Sequence, residues 1–292
     1  MKKYERLMNL YTSFISCFQL NELLLINKLE EIRIIDCRID FSLESYGKEM
    51  YLKNHIPNAI FIDLETELSD TSISNSGRHP LPPIEKFNEL VNNLGILRST
   101  QVIVYDDVGG GYAARLWFMM TQLGINTAIL EGGFVEWVRL NLPVSDIDEK
   151  RKSNISTIEF INNWNDGPYV LYDSHQIKEI LNSAKLLYDS RSLERFAGIE
   201  EPFYAIAGHI PGAKNHYWMS NLNENSKLLP IEDLSKIFPK ETKNTIFHCG
   251  SGVTACLNLA VAKKLNLENP GLYVGSWSAW IENYPEFIET DN

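Results

Sequence analysis

The chain contains few cysteines, and their spacing fits neither a disulfide framework nor a zinc site. The four are Cys17, Cys37, Cys249 and Cys256, and the six histidines are scattered along the 292 residues. This pattern makes a metal site unexpected and argues against a small module held together by disulfides. It is typical of a chain that works in a reducing compartment.

Positive charge is scarce as well. Lysine and arginine number 27 against 38 aspartates and glutamates, which gives a formal net charge of −11. An excess of negative charge disfavours nucleic acid or an anionic membrane as a partner. A small anionic substrate is still compatible with this balance, because a single pocket can be positive on an acidic protein.

Uninterrupted apolar runs are also lacking near the start of the chain. The mildly apolar stretch 7–20 contains Asn9, Thr12, Ser13, Ser16 and Gln19, and no small-residue cleavage site stands out after it. The stretch therefore predicts neither a signal peptide nor a membrane span. We expect a cytoplasmic enzyme.

What the chain does contain is an internal repeat. Residues 34–38 match 187–191, 55–59 match 209–213, 102–106 match 245–249, and 131–137 match 274–280, all in the same order. Each half reads as apolar strands alternating with helices, which predicts an α/β protein with two tandem domains, each a parallel sheet flanked by helices. The predicted divisions are domains at 1–144 and 168–292 with a polar linker at 145–167, and the helix candidates are 84–93, 113–123, 231–238 and 255–265.

The two halves differ in two places. The offset between matched residues falls from 154 to 143, so the first half carries 11 extra residues around 63–82, including Glu65, Arg78 and His79. A long loop of this kind is either functional or a solvated, variable surface segment. Asp106 stands where the second half has Cys249, which predicts one catalytic half and one supporting half.

Cys249 lies in the most informative stretch of the sequence, a glycine-containing turn between an apolar run at 245–247 and a helical pattern at 257–264. Backbone N–H groups of such a turn, together with the helix N-terminus, favour an anion. We therefore predict that Cys249 is a thiolate nucleophile. The alternative is a buried structural cysteine, which is the usual state of a free thiol.

With these motifs the chain resembles a tandem rhodanese-type sulfurtransferase of the thiosulfate or 3-mercaptopyruvate class, from about Phe14 to Phe287. The matching motifs are the two His-Ile-Pro segments, Asp189-Ser190-Arg191 with Arg195-Phe196, the loop Cys249-Gly250-Ser251-Gly252-Val253-Thr254, and Gly275-Ser276-Trp277. The resemblance implies two α/β domains, with the active site in the second domain facing the first.

The resemblance also implies double-displacement chemistry without a cofactor. Cys249 would take the outer sulfur of thiosulfate or the thiol sulfur of 3-mercaptopyruvate, and the persulfide would pass it to cyanide, a thiol or a small redox protein. The loop residues Gly250, Gly252, Val253 and Thr254 would bind the anionic sulfur through their amides. Arg195 would bind the anionic end of the substrate, the alternative being a salt bridge at the surface or at the domain interface, and Arg191 is expected to be structural.

The residue after the first loop glycine bears on the sulfur donor. Thiosulfate-preferring members carry basic residues there, whereas this loop has Ser251, as in mercaptopyruvate sulfurtransferases. The resemblance then implies a proton relay of Ser251, His79 and an acidic residue, either Glu65 or Asp63. Tyr204 departs from the pattern, because mercaptopyruvate enzymes often have a second arginine there, so a thiosulfate-preferring rhodanese stays open.

Two further interpretations compete with a sulfurtransferase. A cysteine phosphatase also has a cysteine before a glycine-rich loop and a helix, but it needs an arginine at the end of the loop, where this chain has Ala255 and Cys256. A rhodanese-fold module that carries sulfur or binds a partner would use the same residues as the enzyme. Persulfide formation from free small-molecule donors distinguishes that module from the enzyme.

Overall fold

The computed structural model describes residues 11–26, 31–151, 158–181 and 183–291. Residues 1–10 of the N-terminal stretch and 152–157 of the predicted linker lie outside them. Among the described residues, no helix is both long enough and apolar enough to cross a membrane.

The described chain forms two five-stranded sheets whose strands are all parallel. The first contains β1 (Phe14–Ile15), β2 (Ile32–Asp36), β3 (Ala59–Phe61), β4 (Gln101–Tyr105) and β5 (Thr127–Leu130), in the order β1-β5-β4-β2-β3. The second contains β6 (Leu171–Tyr172), β7 (Leu186–Asp189), β8 (Lys214–Asn215), β9 (Thr245–His248) and β10 (Gly271–Tyr273), in the order β6-β10-β9-β7-β8. The two orders are equivalent, so the predicted α/β class and the tandem repeat are confirmed.

Helices flank both sheets. In the first half they are α1 (Cys17–Leu25), α2 (Tyr46–Lys53), α3 (Leu64–Glu67), α4 (Ile84–Asn93), α5 (Ala113–Gln122) and α6 (Gly133–Arg139). In the second half they are α7 (Ser174–Ile180), α8 (Leu193–Ala197), α9 (Ile231–Ile237), α10 (Ala255–Lys264) and α11 (Ser276–Asn283). Three of the four predicted helices end one residue early, because Leu123, Phe238 and Leu265 are C-caps.

The middle strands explain why the repeat is so clear in the sequence. Every residue of β4 and of β9 is buried, as expected for strands with helices on both faces. The loops that carry Asp106 and Cys249 leave the carboxyl ends of these two strands. In open parallel sheets ligands bind at this edge, so both loops occupy the position at which a site is expected.

The same buried ion pair stabilises each domain. Arg38 Nη2 lies 2.6 Å from Asp36 in the first domain, and Arg191 Nη2 lies 2.6 Å from Asp189 in the second. Each guanidinium also donates to a backbone carbonyl at 2.7 Å. The structural role expected for Arg191 is therefore confirmed by its contacts, and Arg38 has the equivalent contacts in the other half.

The two domains contact each other through α5 and α10, the helices that follow the two loops. Both helices are almost entirely buried, including the apolar residues on the sides away from their own sheets. A helix that is apolar all round must be covered on every side. Packing α5 against α10 therefore brings the Asp106 loop and the Cys249 loop to opposite sides of one interface.

Removing one partner of a buried ion pair should destabilise the protein strongly. Arg38→Met leaves the Asp36 carboxylate buried without its cation, and we expect the free energy of unfolding to fall by about 3–5 kcal/mol. Lys236→Met is the control, because its pair with Asp233 is exposed, and it should cost less than about 1 kcal/mol. Urea denaturation measures both, and equal small losses would contradict the role of the buried pair.

Candidate active site

Cys249 lies directly after β9 and only 2% of it is exposed. Its N–H donates to Ser276 Oγ at 3.1 Å. The carbonyl oxygens of Cys249 and Gly250 accept from the N–H groups of Trp277 and Ser278, at 3.0 and 2.9 Å. These bonds hold the start of the loop against the first turn of α11, so the thiol has a fixed position.

The rest of the loop requires a glycine and leaves its amides free. Gly252 has φ of +73°, and a Cβ there would lie 2.1 Å from the carbonyl oxygen of Val274. Within the described chain, none of the N–H groups of residues 250–254 donates a hydrogen bond. Ser251, Val253 and Thr254 line a cleft together with Cys249. The loop therefore offers unpaired donors to an anion beside the thiol.

The first domain shows what such a loop does with an anion. The Asp106 carboxylate accepts four hydrogen bonds, from the N–H groups of Val108, Gly110, Tyr112 and Ala113, at 2.7–3.0 Å. Burial raises the pKa of Asp106, and the four N–H groups act in the opposite direction. The matching loop of the second domain has the same kind of donors and no carboxylate. The side chain in the position of Asp106 is that of Cys249.

The other three cysteines are in different surroundings. Burial raises the pKa of Cys17 and Cys256 to about 12, and it raises that of Cys37 well above its usual value. Cys256 lies inside α10, and its thiol donates to the carbonyl oxygen of Gly252 at 3.4 Å. These thiols stay protonated at neutral pH and are poor nucleophiles.

Ser251 and His79 meet across the domain interface although they are 172 residues apart. Ser251 Oγ lies 2.7 Å from Nδ1 of His79. His79 is 2% exposed, and burial, with Arg78 and Arg115 nearby, lowers its pKa to about 3. The imidazole is therefore neutral at physiological pH and accepts or donates at the serine hydroxyl.

Glu65 is the acidic residue nearest to this histidine. Its carboxylate lies 3.7 Å from His79 Nε2 and 3.5 Å from Arg78. Asp63 is engaged elsewhere, since it caps α3 by accepting from the N–H of Thr66 at 2.8 Å. The sequence left open whether Glu65 or Asp63 lies beside His79, and in the structure the residue there is Glu65.

The 11 extra residues of the first half reach the second domain. The N–H of Gly77 donates to Glu282 at 3.2 Å, and the N–H of Arg78 donates to Ser278 Oγ at 3.0 Å. Gly77 has φ of +82°, and a Cβ there would lie 2.5 Å from Ser278 Oγ. This close anchorage on α11 directs His79 at the Cys249 loop, so the insertion is not a free surface loop.

Arg195 is held in an ion pair and also lines the cleft. Its guanidinium lies 2.8 Å from Glu201, which also contacts Arg191 at 3.0 Å. Nη2 of Arg195 is 3.3 Å from the point that a Cβ on Gly250 would occupy. Arg195 is therefore in a salt bridge, within its own domain and not at the surface or the domain interface, and it is also within reach of the loop. Tyr204 lies on the same side, with its hydroxyl 3.2 Å from that point, and burial raises its pKa.

The cleft above the thiol has a volume of about 410 Å³ and lies between the domains. The second domain contributes the loop, Arg191, Arg195 and Tyr204, while the first contributes Arg78. The aromatic residues of its wall, which the sequence did not indicate as site residues, are Phe41, Tyr112, Phe203, Tyr217 and Trp218. Within the described residues, no group of three or more histidine, cysteine, aspartate or glutamate side chains could hold a metal ion.

Arg115 is the charged residue that sequence reasoning missed. It lies in α5, is fully buried, and donates to the carbonyl oxygens of Gly252 and His79 at 3.0 and 2.9 Å. The available signal was a lone arginine in the otherwise apolar helical run at 113–120. A charge on an apolar helix face indicates a buried partner.

Comparison with known proteins finds the same domain in both halves of the chain. The family model for the rhodanese-like domain matches residues 20–140 and again 173–283. A probable 3-mercaptopyruvate sulfurtransferase of Pseudomonas aeruginosa is 34% identical over 260 residues, covering 86% of this chain and 89% of the relative. The thiosulfate sulfurtransferase of Rattus norvegicus is 31% identical over 288 residues, covering 94% of each. The structure of 3-mercaptopyruvate sulfurtransferase from Leishmania major superimposes with a TM-score of 0.78 at 29% identity, covering 95% of this chain and 76% of that one.

Burial of neutral His79 makes stability depend on pH. Its folded pKa of about 3 lies below the unfolded value of 6.5, so the unfolded chain binds the proton first as the pH falls. The free energy of unfolding should therefore fall between pH 6.5 and 3, by up to about 1.4 kcal/mol per pH unit from this group. Urea denaturation at pH 6.5 and at pH 4.5 gives the free energy of unfolding at each pH. Between these two pH values it should change less for His79→Gln than for the wild type. His175→Gln, which changes an exposed histidine, is the control. The same change in the free energy of unfolding with pH in all three proteins would contradict the assignment.

Proposed function

We propose, since the chain belongs to the rhodanese-like family and is a sulfurtransferase, that 3-mercaptopyruvate is its preferred sulfur donor and Cys249 its nucleophile. The observation that carries the choice of donor is the 2.7 Å contact between Ser251 and His79. A proton carrier at this position is needed when the donor is mercaptopyruvate and is not needed when it is thiosulfate.

The first step breaks the carbon–sulfur bond of the donor. The Cys249 thiolate attacks the thiol sulfur, a sulfur–sulfur bond forms, and the electron pair of the broken bond goes to the leaving carbon. The leaving group is the enolate of pyruvate, which needs one proton. The donor thiol loses one proton when the persulfide becomes an anion, so the balance requires that a proton move from sulfur to carbon.

Ser251 and His79 are suited to move this proton. The hydroxyl can take it from the donor sulfur and pass it to Nδ1 of His79, and the same path returns it to the carbon. The low pKa of His79 makes the ring a weak base that does not retain the proton, so an imidazolium formed in this step gives the proton back readily. Glu65, at 3.7 Å from Nε2, opposes part of the cost of charging the buried ring.

The loop amides would hold the persulfide anion. The support is internal to the chain, since the equivalent loop holds the Asp106 carboxylate through four N–H groups. The N–H groups of Gly250, Gly252, Val253 and Thr254 are unpaired among the described residues. Preorganised donors of this kind stabilise negative charge without reorganisation during the reaction.

The carboxylate of the donor would lie between Arg195 and Arg78. Arg195 is already paired with Glu201, which leaves less of its charge for a substrate. Arg78 is 31% exposed, and its carboxylate neighbour Glu65 is 51% exposed and 3.5 Å away. Arg78 thus supplies a second cation where Tyr204 replaces an arginine.

The second step transfers the outer sulfur to cyanide or a thiolate and regenerates the Cys249 thiolate. We propose a small redox protein as one acceptor, because the rim of the cleft includes Phe203, which is 48% exposed. We also propose a cytoplasmic location, in keeping with four free cysteines among the described residues.

Thiosulfate is the second candidate donor. The relatives include thiosulfate sulfurtransferases at 31% identity over 94% of the chain. Against it stands the loop itself, because residues 250–254 contain no basic side chain for a dianion. A phosphatase is disfavoured for the same reason, since no arginine ends the loop.

Replacing the nucleophile should abolish transfer. Cys249→Ser should form no thiocyanate from either donor, because a hydroxyl does not accept sulfur as a thiolate does. Wild-type protein treated with donor should gain roughly 32 Da on the peptide that contains Cys249, by the mass of one sulfur atom. Cys256→Ser is the matched control and should retain the adduct. An adduct on Cys256 or Cys37 would contradict the assignment.

The role of the serine can be separated by donor. Ser251→Ala should lower kcat/KM for 3-mercaptopyruvate by about 100-fold, in the range of general acid–base catalysis, and that for thiosulfate far less. Both donors are assayed on one preparation of each protein. Thr254→Val serves as the control, since it removes a hydroxyl of the same loop. Equal losses with both donors in Ser251→Ala would remove the relay from the mechanism.

A further inference from the structure

Arg115 lies behind the Cys249 loop and has no carboxylate partner among the described residues. Its side chain is 0% exposed and donates to the carbonyl oxygens of Gly252, His79 and Leu68, at 3.0, 2.9 and 3.3 Å. Among the described residues, no carboxylate lies within 4.0 Å of the guanidinium. Nε has no hydrogen-bond partner there either.

A buried cation without a counter-ion is costly, and carbonyl dipoles offset only part of the cost. Two thiols that can become negative interact electrostatically with Arg115, those of Cys249 and Cys256, and Cys256 and Arg115 donate to the same carbonyl oxygen, that of Gly252 in the Cys249 loop. Burial and the proximity of Cys249 raise the pKa of Cys256 to about 12, although Arg115 itself lowers it. The remaining group that can neutralise Arg115 is the sulfur on Cys249.

The internal repeat supplies a comparison. Helices α5 and α10 both begin at an alanine after the loop, so Arg115 in the first corresponds to Leu257 in the second. Leu257 lies on the first-domain loop, with a methyl group 3.6 Å from the point that a Cβ on Gly110 would occupy. The loop that holds its own carboxylate is therefore faced by leucine, and the loop that holds a cysteine is faced by a cation.

Arg115 also fixes the orientation of one loop amide. Because a trans peptide is planar, the N–H of Val253 points opposite to the carbonyl of Gly252. Arg115 holds that carbonyl on the interface side, so the N–H of Val253 is directed away from α5. Val253 lines the cleft beside Cys249.

We propose that Arg115 of the first domain is a positioning residue for sulfur transfer, which supplies the positive charge behind the Cys249 loop and orients the Val253 amide toward the anionic sulfur. This inference rests on the proposed role of Cys249 as the nucleophile. It gives the first domain a direct part in the chemistry of the second.

The test compares variants of Arg115 that differ in charge, in the full-length protein. Arg115→Gln keeps N–H donors without charge, Arg115→Lys keeps charge, and Arg115→Met fills the space without either. The control is Arg98→Gln, since Arg98 also donates to backbone carbonyls, those of Glu159 and Phe160, at the edge of the first domain. The readout is the pH dependence of iodoacetamide alkylation of Cys249, followed by peptide mapping.

We expect the alkylation profile of Arg115→Gln to move to higher pH by about one unit, which is about tenfold slower alkylation at neutral pH. Arg115→Met should behave likewise, Arg115→Lys should recover most of the rate, and Arg98→Gln should match the wild type. The other titratable and charged groups around Cys249 are unchanged in every variant; they are Tyr204, Cys256, Arg78, Arg191, Arg195 and Glu200. Single-turnover persulfide formation from 3-mercaptopyruvate should fall in the same order.

A wild-type profile in Arg115→Gln or in Arg115→Met, with an unchanged melting temperature, would overturn the inference. If the glutamine variant does not fold, the methionine and lysine variants still decide it, because replacing a buried ion by an apolar side chain is often tolerated. A wild-type protein that forms no persulfide would contradict the proposed function, while the alkylation profiles would still decide the role of Arg115.

Discussion

The structure depends on one interaction, the binding of an anion by backbone N–H groups in a loop at the carboxyl end of the middle strand. In the first domain the anion is permanent, since the Asp106 carboxylate accepts four of these hydrogen bonds. In the second domain the loop is pinned at Cys249 and needs glycine at 252, but its amides are unpaired in the described chain. We propose that the loop with a built-in carboxylate is structural and that the equivalent loop with free amides binds the anionic sulfur formed during the reaction.

Under the proposed function, both domains contribute to the site. The first has Asp106 in the position of the cysteine, its insertion brings His79 to Ser251, and its helix α5 brings Arg115 to Gly252. The arginines near the site differ in whether a carboxylate neutralises them. Arg191 and Arg195 are neutralised by carboxylates in their own domain, whereas Arg115 donates to the carbonyl oxygen of His79 in its own domain and to that of Gly252 across the interface. The cation that has no carboxylate partner among the described residues therefore lies behind the loop that carries Cys249.

The fold could be predicted from the sequence because both halves repeat it, with apolar strands that alternate with helices. Cys249 could be identified as the candidate nucleophile because its setting is local, a strand, a turn with glycine and a helix. The contacts between distant residues could not. His79 was expected at Ser251 by resemblance alone, and the choice between Glu65 and Asp63 needed the cap of α3. Arg115 was missed, because one charged residue in an otherwise apolar helical pattern does not change the predicted helix and was not considered as part of a site.

The central claim is that the loop amides hold anionic sulfur as the first domain holds a carboxylate. A crystal structure of the protein after treatment with 3-mercaptopyruvate tests it most directly. The account predicts extra density on Cys249, with the terminal sulfur directed into the loop and within hydrogen-bond distance of the N–H groups of residues 250–254. A terminal sulfur directed away from the loop and bound by Arg195 or Tyr204 would contradict it.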